Sequence, residues 1–109
     1  MKTHAKLPRN GFLSPAVLEM CVLSLLSRGD GYGYKLSKEI GLDVAESTLY
    51  PVLRRLEASG FLTSYGDTHN SKLRKVYSIT PQGVEQFYQL KSEWIIFREM
   101  IDGLLAKAG

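Results

Sequence analysis

The spacing of apolar residues changes twice along this chain, at Gly60 and at Thr80, and those changes limit what it can fold into. Before Gly60 the apolar positions recur at helical spacing, between the two points they alternate, and after Thr80 the helical spacing returns. The run "SPAVLEMCVLSLLSRGD" opens the folded part: Ser14 suits an N-cap, Pro15 a first helical position, and Leu18, Cys21, Val22, Leu25 and Leu26 share a face. The glycine-rich "RGDGYG" stops that helix. A second short helix fits "YKLSKEI", with Leu36 and Ile40 one turn apart and Gly41 placed for a left-handed cap. "LDVAE" is a tight connection to a third helix over 47–59. Strands fit "FLTSY" and "LRKVYSIT" around a loop "GDTHNSK", with Tyr77 and Ile79 on one face and Arg74, Val76 and Ser78 on the other. Thr80 and Pro81 then start a last helix over 81–106. The order is helix, helix, helix, hairpin, long helix.

The third helix carries a proline and two arginines in "AESTLYPVLRRLEASG". On a wheel of about 100° per residue, Leu49, Val52, Leu53 and Leu56 gather on one face and must pack inward. Ser47, Pro51, Arg54 and Ala58 lie opposite, with Thr48 and Arg55 on one flank and Tyr50 and Glu57 on the other. Pro51 therefore points outward, and a place close to the helix start keeps its missing N–H inexpensive. A short helix braced by two others fits a helix-turn-helix, whose third helix enters the DNA major groove by its N-terminal end. Ser47, Thr48 and Tyr50 then offer hydroxyls to phosphates or base edges. Arg54 can reach a guanine edge and Arg55 a phosphate. The plainer alternative is the solvated face of a core helix.

The hairpin weighs against that alternative. Lys72, Arg74 and Lys75 lie in its loop and second strand, with His69 and Asn70 beside them. A basic hairpin directly after a recognition helix is how a winged helix-turn-helix grips the neighbouring backbone, with strong salt dependence. A solvated turn with ordinary lysines is the other reading. The net charge of +3 leans the same way as the wing without deciding anything.

Other classes find little support. The histidines are His4, in the basic N-terminal stretch, and His69, in the loop; Cys21 is the single cysteine and has no base partner in sight. That single cysteine also rules out an internal disulfide. No glycine-rich phosphate loop follows a strand, and Asp67 with His69 makes a poor metal site, so neither cofactor nor metal is expected. No apolar run reaches the roughly 18 residues of a membrane span, and the N-terminus lacks the apolar stretch of a signal peptide. The expectation is a non-enzymatic, cytoplasmic protein. Its rival identity is a winged-helix interaction module whose basic surface meets an acidic protein.

Three stretches resemble the PadR family of bacterial transcriptional regulators. "STLYPVLRRLEASGFL" is similar to the family's recognition-helix segment, "RKVYSITPQG" to the end of its wing, and "GYGYKLSKEI" to the start of its second helix. Ser47 stands where a glycine is often found, and the connection between the second and third helices is shorter than in many members. The resemblance implies a winged-helix homodimer on a roughly palindromic operator, with Thr48, Tyr50, Pro51, Arg54, Lys72, Arg74 and Lys75 facing DNA. It also implies a repressor, in some members released by a small molecule. The expected fold class is mainly α with a small β-hairpin. A winged helix-turn-helix domain at 12–80 precedes a dimerisation helix at 81–109, the two forming a single compact unit.

In that last helix Phe87, Leu90, Trp94, Phe97, Ile101 and Leu104 repeat at heptad spacing. One short domain cannot easily bury this seam together with Tyr88, Ile95 and Ile96, so part of it is expected to meet a second copy. Packing on the chain's own Leu13–Leu26 is the alternative. Trp94 sits mid-seam. A tryptophan in this helix lines a flat pocket for planar hydrophobic ligands in some regulators of the resembled family, whereas a packed core tryptophan is the duller reading.

Overall fold

The computed structural model describes residues 13–41 and 44–108. The basic N-terminal stretch with His4, residues Leu42 and Asp43 of the "LDVAE" connection, and the outer domain limits at 12 and 109 lie outside the described residues. The elements are α1 (Pro15–Leu26), β1 (Gly31–Tyr32), α2 (Gly33–Ile40), α3 (Glu46–Ala58), β2 (Leu62–His69), β3 (Lys72–Ile79) and α4 (Pro81–Ala106). This is the winged-helix arrangement of helices and hairpin, with a long C-terminal helix.

Local chemistry accounts for the ends of most elements. The Ser14 hydroxyl accepts the Val17 amide at 3.2 Å ahead of Pro15. Gly41 takes φ 74° and closes α2. At the end of α3 the Phe61 amide bonds the Leu56 carbonyl at 2.9 Å and the Gly60 amide bonds that of Glu57 at 3.0 Å, with Gly60 at φ 83°. That pair of bonds is a Schellman cap, which needs the left-handed conformation glycine adopts most readily. Leu18, Val22, Leu23 and Leu26 of α1 meet Leu36 of α2, the Leu49, Val52, Leu53 and Leu56 face of α3, and Leu62 and Tyr77 of the sheet in one core.

Pro51 sits deeper in its helix than the sequence reading assumed. The first helical bonds of α3 run from Thr48 and Leu49 to the Ala45 carbonyl, so Pro51 lies in the second turn. Its missing N–H therefore deprives the Ser47 carbonyl of its helical donor. Ser47 is exposed, so water can take that place.

The sheet departs from expectation in two ways. It has three strands, in the order β1-β3-β2, because Gly31 and Tyr32 pair antiparallel with Tyr77 and Val76. The "RGDGYG" stretch, read as a helix stop, thus also supplies an edge strand. In addition the loop expected over "GDTHNSK" contracts to a two-residue turn. The strands stay paired up to His69 opposite Lys72, leaving Asn70 and Ser71 at φ 52° and 63°. Positive φ at both central positions marks a type I′ turn, whose twist suits paired strands. Ser71 carries a side chain where glycine is preferred. Ser71→Gly should raise stability by about 0.5 kcal/mol, seen as a rise of about 2–4 °C in melting temperature.

Candidate nucleic-acid interface

Burial of the apolar stripe of α3 leaves its opposite side to solvent. Ser47, Thr48, Tyr50, Pro51 and Arg54 are all exposed. Among the described residues Arg54 enters no ion pair and no side-chain hydrogen bond. Tyr50 turns sideways: its hydroxyl donates to Glu46 Oε2 at 3.2 Å, and its ring lies where a side chain on Gly33 would fall, 3.0 Å from an added Cβ. Desolvation, then the Glu46 carboxylate, raises the Tyr50 pKa. Arg55 is drawn to the other flank, where its Nε donates to Glu19 Oε2 at 3.0 Å and ties α3 to α1. The structure therefore separates Arg55 from the group around Arg54.

The three basic residues of the wing have unlike surroundings. Lys72 is exposed beside the turn and, among the described residues, makes no ion pair. Arg74 alternates to the sheet face turned away from Tyr77, with Asp67 Oδ2 3.8 Å from its terminal nitrogen and the Tyr32 ring centroid 3.9 Å from its guanidinium carbon. Lys75 shares the face of Tyr77, which points at the core. Its ammonium lies 3.5 Å from Glu57 Oε1 and 5.4 Å from the centre of the Tyr77 ring. Tyr77 first and Glu57 second hold its pKa above the ordinary lysine value. Glu57 also accepts the Ser64 hydroxyl at 2.6 Å, so one carboxylate of α3 anchors both strands of the hairpin.

Between the start of α2, the exposed side of α3 and the wing lies a concavity of about 860 Å³, walled by Tyr32, Tyr34, Tyr50, His69, Lys72 and Arg74. It brings Tyr50 together with the wing cations. Tyr32, Glu19 and Glu57, which organise the basic residues, were not singled out from the sequence. Glu57 could have been found, since it flanks the outward face on the wheel. Asp67 and His69 do not gather further ligands: among the described residues no group of three or more His, Cys, Asp or Glu side chains could hold a metal ion.

The heptad seam of α4 divides. Phe87 and Leu90 pack on the chain's own core, as the intramolecular alternative had it, and Ile101 is half-buried. Trp94, Phe97 and Leu104 are 38%, 51% and 59% exposed, and every residue from Lys91 to Met100 faces solvent. Trp94 borders a cleft of about 290 Å³ between α4 and α1, together with Val17, Met20, Leu90 and Phe97. Among the described residues no helix is long and apolar enough to cross a membrane.

Comparison with known proteins agrees with this geometry. A solved structure from Eggerthella lenta DSM 2243, a PadR family transcriptional regulator, is 37% identical, covers 86% of this chain and 86% of its own, and superposes with a TM-score of 0.76. The smu.1704 protein of Streptococcus mutans UA159 is 31% identical over 95% of this chain and 94% of its own, with a TM-score of 0.78. The negative transcriptional regulator PadR of Bacillus subtilis is 29% identical over 92 residues, which are 78% of this chain and 48% of that longer protein. Residues 22–89, from the middle of α1 into α4, match the profile of the transcriptional regulator PadR-like family, and the chain belongs to that family of transcriptional regulators, which are not enzymes.

Proposed function

We propose that this protein is a cytoplasmic homodimeric repressor that binds a palindromic operator, each copy placing α3 in a major groove and its wing on the flanking backbone. One observation carries the reading: the start of α3 with Tyr50 and the wing tip with Lys72 line one concave surface, and neither Lys72 nor Arg54, exposed on the same helix as Tyr50, has an ion-pair partner among the described residues. Ser47, Thr48, Tyr50 and Pro51 complete the groove-facing side, with Arg54 reading a guanine edge and Lys72 a phosphate. The exposed seam around Trp94, Phe97 and Leu104 supports pairing of two copies through α4, which fixes the separation of two recognition helices. Repression is in keeping with the name of the B. subtilis relative. The cleft beside Trp94 is the place for a planar hydrophobic effector.

Footprinting beside the protein's own gene supplies the operator, and two substitutions then test the reading. Arg54→Ala should lower operator affinity by about 1–3 kcal/mol while changing affinity for random duplex far less. Lys72→Ala should weaken both to a similar degree and flatten the dependence of log K on log salt by about 0.9. Equal losses by both variants on both duplexes would show that Arg54 does not read bases. Tight association with an acidic protein, unaffected by added duplex, would mean that the basic surface serves a protein partner instead.

A further inference from the structure

The basic residues of the wing are not equivalent, and Arg74 has the environment least suited to a DNA contact. β2 and β3 pair over eight positions, but β1 reaches only Val76 and Tyr77. From the Gly66–Lys75 pair outward the hairpin is two-stranded, an arrangement that is marginal in water without support. Arg74 lies at the point where this support ends. Its guanidinium rests on the ring of Tyr32, the last residue of β1, and its terminal nitrogen faces Asp67 directly across the hairpin. The side chain is 29% exposed, and its Nε is buried without a hydrogen-bond partner among the described residues. A guanidinium with a ring at 3.9 Å, a carboxylate at 3.8 Å and an inaccessible Nε is poorly disposed to clamp a phosphate.

Neighbouring contacts serve the same junction. The Tyr65 hydroxyl donates to Asp30 Oδ2 at 2.8 Å, just before β1. On the opposite face Glu57 of α3 takes Ser64 and Lys75. The base of the wing is thus gripped from both sides, and on the outer side the grip is the Arg74–Tyr32 stack together with the Tyr65–Asp30 bond.

We propose that Arg74 is a positioning residue: stacked on Tyr32, it sets the angle at which the wing leaves the body relative to α3, and it is not a phosphate ligand. The consequence for affinity rests on the DNA-binding reading above; the consequence for the wing itself does not. Four substitutions separate stack from charge, of which Arg74→Ala removes both. Arg74→Lys keeps the charge and loses the planar stack. Tyr32→Leu leaves every charge in place, and Tyr32→Phe restores the ring.

Amide hydrogen exchange on the free protein, read over residues 66–73, should speed up by about tenfold in Arg74→Lys and Tyr32→Leu and stay at the wild-type rate in Tyr32→Phe. Operator binding across a salt series should fall by about tenfold in the first two with the salt slope of wild type, because a loosened wing must be ordered on binding. Wild-type exchange and affinity in both Arg74→Lys and Tyr32→Leu would overturn the proposal. So would a loss confined to Arg74→Ala with a salt slope lower by about 0.9, the signature of a lost phosphate contact. A wild-type protein with no specific DNA binding would refute the functional reading alone, and the exchange rates would still decide the role of the stack.

Discussion

Trp94→Asp should convert the protein to a monomer and, with that, remove most of its operator affinity. Trp94 lies in the stretch of α4 where every residue from Lys91 to Met100 is exposed; 38% of its own surface is open to solvent, and among the described residues it borders the cleft against α1 and the Phe97 ring, whose centre is 6.3 Å away. In a paired α4 seam the substitution removes the burial of a large aromatic side chain, about 2–3 kcal/mol, and places an unpaired carboxylate there at a further cost of several kcal/mol. The sum corresponds to a dimer dissociation constant raised by about a thousandfold or more. Sedimentation should report the monomer mass, and operator titration should show the weak binding of a single half-site. Because the core cluster of α1, α2, α3 and the sheet does not include Trp94, circular dichroism should remain native. A dimer of unchanged mass would contradict pairing through this seam.

The second large effect is expected at Gly83→Ala, and it acts on the fold itself. Thr80 and Gly83 join the wing to α4. The Thr80 amide bonds the Phe61 carbonyl at 3.1 Å, its hydroxyl donates to the Gly60 carbonyl at 2.7 Å, and the same oxygen accepts the Gly83 amide at 3.0 Å. A Cβ on Gly83 would fall 2.2 Å from the Phe61 carbonyl oxygen and 2.7 Å from Ile79 Cγ1. Backbone cannot swing aside as a flexible side chain can, so the first turn of α4 has to lift from the sheet and strain these bonds. The expected cost is about 2–4 kcal/mol, a large share of the total stability of a domain this size, and it should lower the melting temperature by about 10 °C or more. A melting temperature within a degree or two of wild type would show that the junction has slack. The same contact gives a physical reason for the Thr-Pro-x-Gly spacing at the end of the wing.

What the sequence disclosed and what it withheld differ by the range of the interactions involved. Caps, the apolar stripe of α3 and the start of α4 rest on residues a few positions apart, and all were legible: Ser14, Gly41, Thr80 and the set Leu49, Val52, Leu53 and Leu56 behave as read. β1 was not legible. Two residues carry no period, and they are a strand only because β3, more than forty residues later, lies alongside. The wing loop was overestimated because glycine, aspartate, asparagine and serine look alike as turn formers, whereas only Asn70 and Ser71 leave the extended region there. The candidate site was legible as a surface but not as a set of equals. Arg55 is held by Glu19, Arg74 by Tyr32 and Asp67, and Lys75 by Glu57 and Tyr77; Glu19 and Tyr32 are far away in sequence from the arginines they engage. Wheel and alternation arguments say which way a side chain sets out, and the fold determines what it meets.

The unbroken pairing from Leu62–Ile79 to His69–Lys72 makes the reach of the wing quantised. One residue added to each strand would turn the tip over and send the Lys72 position to the opposite face of the ribbon. Only two added per strand restores its heading, and then the tip advances by about 7 Å, twice the strand rise. A natural or engineered change of wing length in this architecture is therefore confined to coarse strides, and finer adjustment of where that lysine lands has to come from the hinge at the base of the hairpin.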